Sequence, residues 1–339
     1  MMAHPLYWPQ KSFFYPIGNT TPRVLTQYLA PSENGNILLL GCGDPRNVLY
    51  TLHTNRDAVC NGTISLDFTC VDLESAVLAR NVVLLALVMD ESFASNARPI
   101  FSIFYDFFLT QEALSLLKTK CETLLQLAAD IETWNSGPYA RVIRLCSSFT
   151  LTELRRCWRA YISTDTTGPF KTRYQAEMEK TKEYNSSAFI RGRSAGPFFP
   201  NAITVITNIF HEFWKNGIMS THPADIASAT HVNPMFAHWS QGSGFVAHHS
   251  TFSPLAFPLA PVFASSQTSS SSPSIVSSAD IFRYVKDEFQ RWCGTFHDVT
   301  QSNKDNIKIR FLVGDALHVC PTLRQSSDDS PLLCVSVES

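Results

Sequence analysis

The first residues in this sequence with chemical potential are a pair of glycines at the end of an apolar run. Gly41-Cys42-Gly43 closes Ile37-Leu38-Leu39-Leu40 and is followed by Asp44-Pro45. A glycine turn of this kind lets backbone approach a ligand closely. A helix starting at Pro45 would aim its positive end at the same spot, a setting suited to phosphate or another anion. Asp72 ends a second apolar stretch, Leu66 to Val71, where an acidic side chain can accept hydrogen bonds from ribose hydroxyls. Asp315 follows a third, Ile307 to Val313, within Gly314-Asp315-Ala316. If the three stretches are parallel neighbours, their tips form one crevice at the carboxyl ends, where open parallel sheets bind ligands. The same residues admit a plainer reading, in which the glycines make only a tight turn and Asp44 only caps a helix.

Other candidates carry less. His222, His231, His238, His248 and His249 crowd one stretch. No H-E-x-x-H pattern occurs among them, and no cysteine accompanies them. Surface or hydrogen-bonded histidines are expected there rather than a metal site. Arg191 and Arg193 flank Gly192 ahead of Ser194-Ala195-Gly196-Pro197, and they are expected to hold that loop rather than an anion. No phosphate-binding G-x-x-x-x-G-K-[ST] loop occurs, so a P-loop reading finds no support.

The elements that would position the crevice follow from pattern. Ile37–Leu40, Leu66–Val71 and Ile307–Val313 read as strands, the first as a continuous apolar run suited to a parallel sheet. Asp44 and Pro45 suit the N-cap and first position of a helix running through Thr54, and Glu74 to Met89 reads as a helix apolar on most sides. Strand, helix, strand, helix in this order predicts a right-handed βαβ unit and hence an α/β, Rossmann-like parallel sheet. Leu114, Leu117, Cys121, Leu124, Leu125 and Ala128 recur at three- and four-residue steps and predict a helix over 111–129. Leu151–Ile162, Thr172–Glu183 and Ala202–Trp214 also read as helical, and Ala279–Cys293 as a helix before the third strand. The expected organisation is an N-terminal arm and first half of the sheet over 1–98, and a large, mainly helical insertion over 99–263. A Ser-rich flexible loop over 264–278 and a return to the sheet over 279–339 complete it. The aromatic and proline-rich start is expected to dock on the fold as an irregular segment.

Composition bounds the function. Of the 339 residues, 45% are hydrophobic and 17% charged, enough for a packed core, and the formal net charge is -2. That balance gives no electrostatic footprint for nucleic acid or an anionic membrane. Met1 to Gln10 lacks a basic segment followed by an apolar one, so no secretory signal is expected. The most apolar run, Val82 to Met89, is far short of the roughly 20 residues of a membrane span. Nine scattered cysteines, with no C-x-x-C among them, are expected to be reduced core thiols in a cytoplasmic protein. The sequons at Asn19, Asn61 and Asn185 are then expected to be chance.

The crevice residues also carry a resemblance. Ile37 to Gly43 resembles the first motif of class I S-adenosylmethionine-dependent methyltransferases. Val71-Asp72-Leu73-Glu74 resembles their second, acidic motif, and Gly314-Asp315-Ala316 their third, which flanks the adenine. More specifically the chain resembles a fungal family with a domain of unknown function shared by MYND-finger proteins and dynein axonemal assembly factor 3 proteins. The blocks that carry this are 14–20 (FYPIGNT), 38–48 (LLLGCGDPRNV) and 67–81 (DFTCVDLESAVLARN), then 193–197, 231–234 and 244–257. The resemblance implies a methyltransferase-like sheet and a cofactor crevice formed by Gly41, Cys42, Gly43, Asp44, Asp72, Leu73, Asp315 and Ala316. Two positions depart from it: Leu39 stands where methyltransferases usually carry an acid, and Pro45 where they usually carry a third glycine. Gly43 to Asp72 is also longer than the roughly 20 residues usual between glycine turn and ribose acid. Few strand-like residues follow Asp315, so a C-terminally incomplete sheet is expected. The expectation is therefore a non-catalytic adaptor or assembly-type protein with a protein partner. An S-adenosylmethionine-dependent methyltransferase of unknown substrate is the alternative.

Overall fold

The computed structural model describes residues 16–18, 20–185, 202–237, 253–267, 276–302, 305–319 and 334–337. The N-terminal aromatic arm, the Arg191–Arg193 loop, most of the serine-rich run, and His238, His248 and His249 lie outside these residues. Among those described, strands β1 (Gly35–Leu40), β2 (Leu66–Asp72), β4 (Ile143–Leu145), β6 (Ile307–Val313) and β7 (Cys334–Val337) form one sheet in the order β4-β6-β2-β1-β7. Every pairing in it is parallel, with Leu39 opposite Cys70 and Cys70 opposite Phe311. The chain is thus α/β, as its pattern predicts. β3 (Phe108–Leu109) and β5 (His231–Val232) make a separate two-residue antiparallel ladder.

Between the strands run helices α1 (Arg46–Thr54), α2 (Arg56–Cys60), α3 (Ser75–Met89), α4 (Phe93–Tyr105), α5 (Gln111–Leu127), α6 (Ile131–Ser136) and α7 (Ser148–Ser163). They are followed by α8 (Pro169–Asn185), α9 (Ala202–Asn216), α10 (Pro223–Ser228), α11 (Ala260–Gln267) and α12 (Ser278–Gln301). Side chains cap several of them. Thr110, Asp130 and Ser147 accept the N–H groups of Ala113, Thr133 and Thr150, and Ser277 with Asp280 forms a reciprocal capping box on α12. α3 is buried from Ser75 to Val88, so it lies inside the protein as its all-round apolar sequence requires.

The two sheet faces differ. Leu39, Phe68, Cys70, Ile309 and Phe311 point into the core, at most 4% exposed, while Asp67, Thr69, Lys308 and Arg310 on the other face are half-buried. There Arg310 grips Asp67 across the strands with two bonds of 2.8 and 2.7 Å. β2 and β6 therefore alternate instead of being apolar throughout. The stretch 99–263 is largely helical but also supplies β4, the edge strand beside β6, and its aromatics join the same continuous core as the sheet. α3 carries the joint: the Arg80 guanidinium sits between the Phe104 and Phe236 rings, 4.8 and 4.3 Å from their centroids, and donates to the carbonyls of Phe104 and Met235. Burial lowers the Arg80 pKa to about 10, and the two carbonyls and two ring faces hold the cation there.

Truncating Phe68, fully buried on β2, to alanine is expected to cost roughly 3–5 kcal/mol. Tyr28→Ala, at a side chain 87% exposed, should stay within about 0.5 kcal/mol. Urea unfolding of both variants beside wild type checks the contrast.

Candidate functional site

Parallel pairing brings the three glycine- and acid-bearing tips to one rim. Cys42 N–H donates to the Val71 carbonyl at 3.0 Å, and Gly314 N–H to the Asp72 carbonyl at 2.9 Å. Gly41 and Gly43 adopt φ of 62° and 58°, the left-handed region in which a side chain is strained, so glycine is required at both. Gly41, Cys42, Gly43, Asp44, Asp72, Leu73, Asp315 and Ala316 accordingly stand around one edge, as their spacing predicts.

The carboxylates at this rim serve the chain itself. Asp72 accepts Gly43 N–H at 3.1 Å on one oxygen and Glu74 N–H at 2.9 Å on the other. Burial pushes its pKa up to about 6, against the opposing pull of those backbone donors. Asp44 is 2% exposed and accepts Gly18 N–H at 2.7 Å and Arg46 N–H at 3.1 Å. The negative charge that the α1 dipole favours is thus supplied from within. Pro45, not Asp44 as the pattern predicts, stands at the N-cap, and Asp44 one residue earlier takes the N–H of Arg46, the first residue of the helix. Asp315 accepts Leu317 N–H at 2.9 Å and fixes the turn after β6. Leu73 and Leu317 are exposed.

A segment preceding β1 lies along α1 and ends at the glycine turn. Going up the chain, Asn55 donates to Thr26, Leu25 N–H to Thr51, Arg23 N–H to Asn47, Arg46 to Thr20, and Gly18 N–H to Asp44. At its end Pro16 and Ile17 are buried. A Cβ on Gly18 would lie 1.9 Å from the Arg46 guanidinium, so a side chain here would displace that group. Asn81 on α3 braces the turn from the inside, donating to the Gly43 carbonyl at 2.7 Å. Beneath the turn, among Leu39, Cys42, Val48, Cys70, Asn81 and Phe311, a cavity leaves room for about one water-sized molecule. Pockets that take a nucleotide-sized ligand run to roughly 300–1,000 Å³. Asp72, the acid that would face a ribose, already accepts one backbone N–H on each of its oxygens.

Gly18, Arg46 and Asn81 are the residues whose part in the turn the sequence did not disclose. They sit in the blocks 14–20, 38–48 and 67–81, but only the fold shows what each one touches. Of the histidines, His231 bonds Thr166 at 3.1 Å and His222 lies before α10. Among the described residues no three His, Cys, Asp or Glu side chains are grouped to hold a metal ion, and no helix is long and apolar enough to cross a membrane.

Residues 16–109 match the family model of a domain of unknown function (DUF4470), a stretch that begins at the docked Pro16 and ends with β3. No curated protein and no solved structure matches the chain.

Asp72→Asn should destabilise the fold, because a neutral amide has one acceptor oxygen for two backbone donors, a loss of about 1–3 kcal/mol. A carboxyl whose pKa rises from 3.8 to about 6 on folding contributes stability that is full below 3.8 and lost as pH climbs through 6. The gap between wild type and Asp72→Asn should therefore be wider at pH 4.5 than at pH 7.5, as read from urea midpoints.

Proposed function

We propose that this chain is a non-catalytic adaptor or assembly-type protein, a cytoplasmic platform for a protein partner on a Rossmann-like, methyltransferase-like sheet. The strand order supports the fold reading. β1 lies beside β2 and β2 beside β6, while the order reverses at β7, which is the arrangement of a doubly wound sheet around its switch point. The observation that carries the functional reading is the use of Asp44 and Asp72. Each carboxylate that would face a cofactor in a methyltransferase is engaged by N–H groups of this chain, with Ile17 and Gly18 seated at the turn. Leu39 and Pro45, at positions where methyltransferases usually carry an acid and a glycine, point the same way. A crevice organised in this way keeps the sheet's rigidity and gives up its ligand.

S-adenosylmethionine and S-adenosylhomocysteine at 1 mM are expected to leave the melting temperature unchanged. A ligand present at a hundred times its Kd would add about 2.7 kcal/mol, a shift of several degrees. Micromolar binding by calorimetry that Asp72→Ala abolishes would establish the methyltransferase alternative instead.

A further inference from the structure

Away from the rim, the structure buries another carboxylate. Asp106 directly follows α4 and is 4% exposed. One of its oxygens accepts the Met219 N–H at 2.9 Å, and the Ser102 hydroxyl bonds the carboxylate as well. Neighbouring groups tie down the same stretch of chain. The Gly217 carbonyl accepts the N–H of Phe107 at 2.7 Å and that of Phe108 at 3.3 Å, and Asn233 Nδ2 donates to the Asp106 carbonyl at 2.9 Å. Gly217 has a left-handed φ of 73°, and a Cβ there would lie 2.1 Å from the Phe108 ring. Further along, Ser220 donates to one oxygen of Asp225 in α10 at 2.8 Å, and Arg98 of α4 reaches the other at 2.5 Å. Lys286 of α12 interacts with both acids, and its Nζ stands 5.7 Å from the centre of the Phe101 ring on α4. Two acids and two bases thus gather where α4, α12 and residues 217–228 meet. Of the four, Asp106 alone is buried.

We propose that this cluster is a pH-sensitive latch: it holds residues 217–228 on α4 in mild acid and loosens that hold as pH rises. Asp106 is its working part. Closed, the carboxyl is cut off from water; open, water reaches it. A negative charge there favours opening, and neutrality favours closure. Burial raises the Asp106 pKa from 3.8 to about 6, outweighing the Met219 and Ser102 bonds and Lys286, which pull it down. A group raised in this way contributes stability in full below 3.8 and loses it as pH climbs through 6. The surrounding groups do not share that behaviour. At Asp225 burial is outweighed by the Ser220 and Arg98 bonds, and its pKa lies below the usual carboxylate range. Lys286, and His231 on β5, have pKa values lowered first by burial, so their titration tightens the fold as pH rises, the opposite sign. His222, ahead of α10, is exposed. Release would lift Gly217 off Phe108 and bare the rings beside it, where Phe107 lies 4.7 Å from Phe213 and 5.0 Å from Trp214.

Amide exchange on the full chain and on Asp106→Asn, each rate divided by the intrinsic rate at that pH, tests the latch. The asparagine keeps an acceptor for Met219 and cannot ionise. In wild type at pH 7.5, residues 217–228 should exchange faster than β2. The ratio of wild-type to variant exchange over 217–228 should rise about ten-fold from pH 5 to pH 7.5, as a shift from 3.8 to about 6 requires. Asp72, Lys286 and His231 are common to both chains, so their titration drops out of that ratio. A ratio that stays constant or falls overturns the latch. So does a segment that exchanges only as slowly as β2, because it then opens only with the whole fold. Should the variant not fold, wild type decides: exchange over 217–228 that quickens with pH supports the latch, and exchange that does not overturns it. None of these readouts involves S-adenosylmethionine or a partner, so the latch and the platform reading stand or fall separately.

Discussion

One half-buried carboxyl residue organises the carboxyl end of this sheet. Asp72 holds Gly43 and Glu74 with its side chain and Gly314 with its carbonyl, and so joins the tips of β1, β2 and β6 to the start of α3. A hydrogen bond to a charged group contributes roughly 1.5–3 kcal/mol, and an N–H stranded away from water costs a comparable amount. That makes the arrangement hard to give up for a passing ligand. The left-handed glycines at 41 and 43 bring the backbone close enough for it. Within the turn, the Cys42 N–H bonds the Val71 carbonyl and the Gly43 N–H bonds the Asp72 carboxylate.

A second tie works on the other side of the turn. The segment before β1 follows α1 by a succession of hydrogen bonds, ending with Gly18 against Asp44 and Arg46. The family match covers this segment together with β1, α1, α2, β2, α3, α4 and β3. The matched residues comprise two strands of the main sheet, β3 of the small ladder, four helices, and the tether along α1. Arg80, held by two carbonyls and two phenyl rings, extends that unit to the Pro234–Phe236 turn, beyond the match.

The principal strands were legible because each is an apolar run ended by glycine or aspartate, and 111–127 because its leucines keep helical spacing. β4 was not legible. Ile143-Arg144-Leu145 is three residues long, and only its pairing with β6 makes it a strand. α4 holds Pro99 in its interior, which reads as an interruption, and the β3–β5 ladder rests on Gly217, whose left-handed φ of 73° lets Phe108 pass where a Cβ would sit. Which residues gather at the rim followed from the strand ends. What their carboxylates bond did not, since an aspartate's partner is fixed by neighbours 26 to 29 positions away. The same acid after the same strand reads as a ribose acceptor in sequence and as a backbone clamp in space.

The sulfur atoms have a practical meaning. Cys42 lies at the turn, Cys70 on the sheet, Cys121, Cys157 and Cys293 on three different helices, and all five are buried. Burial pushes the Cys121, Cys157 and Cys293 thiols upward, away from the reactive thiolate. Each layer of the protein thereby contains its own silent chemical probe, one that an alkylating reagent reaches only when that layer opens. The native sequence carries an internal gauge of where the fold loosens first, with no label added.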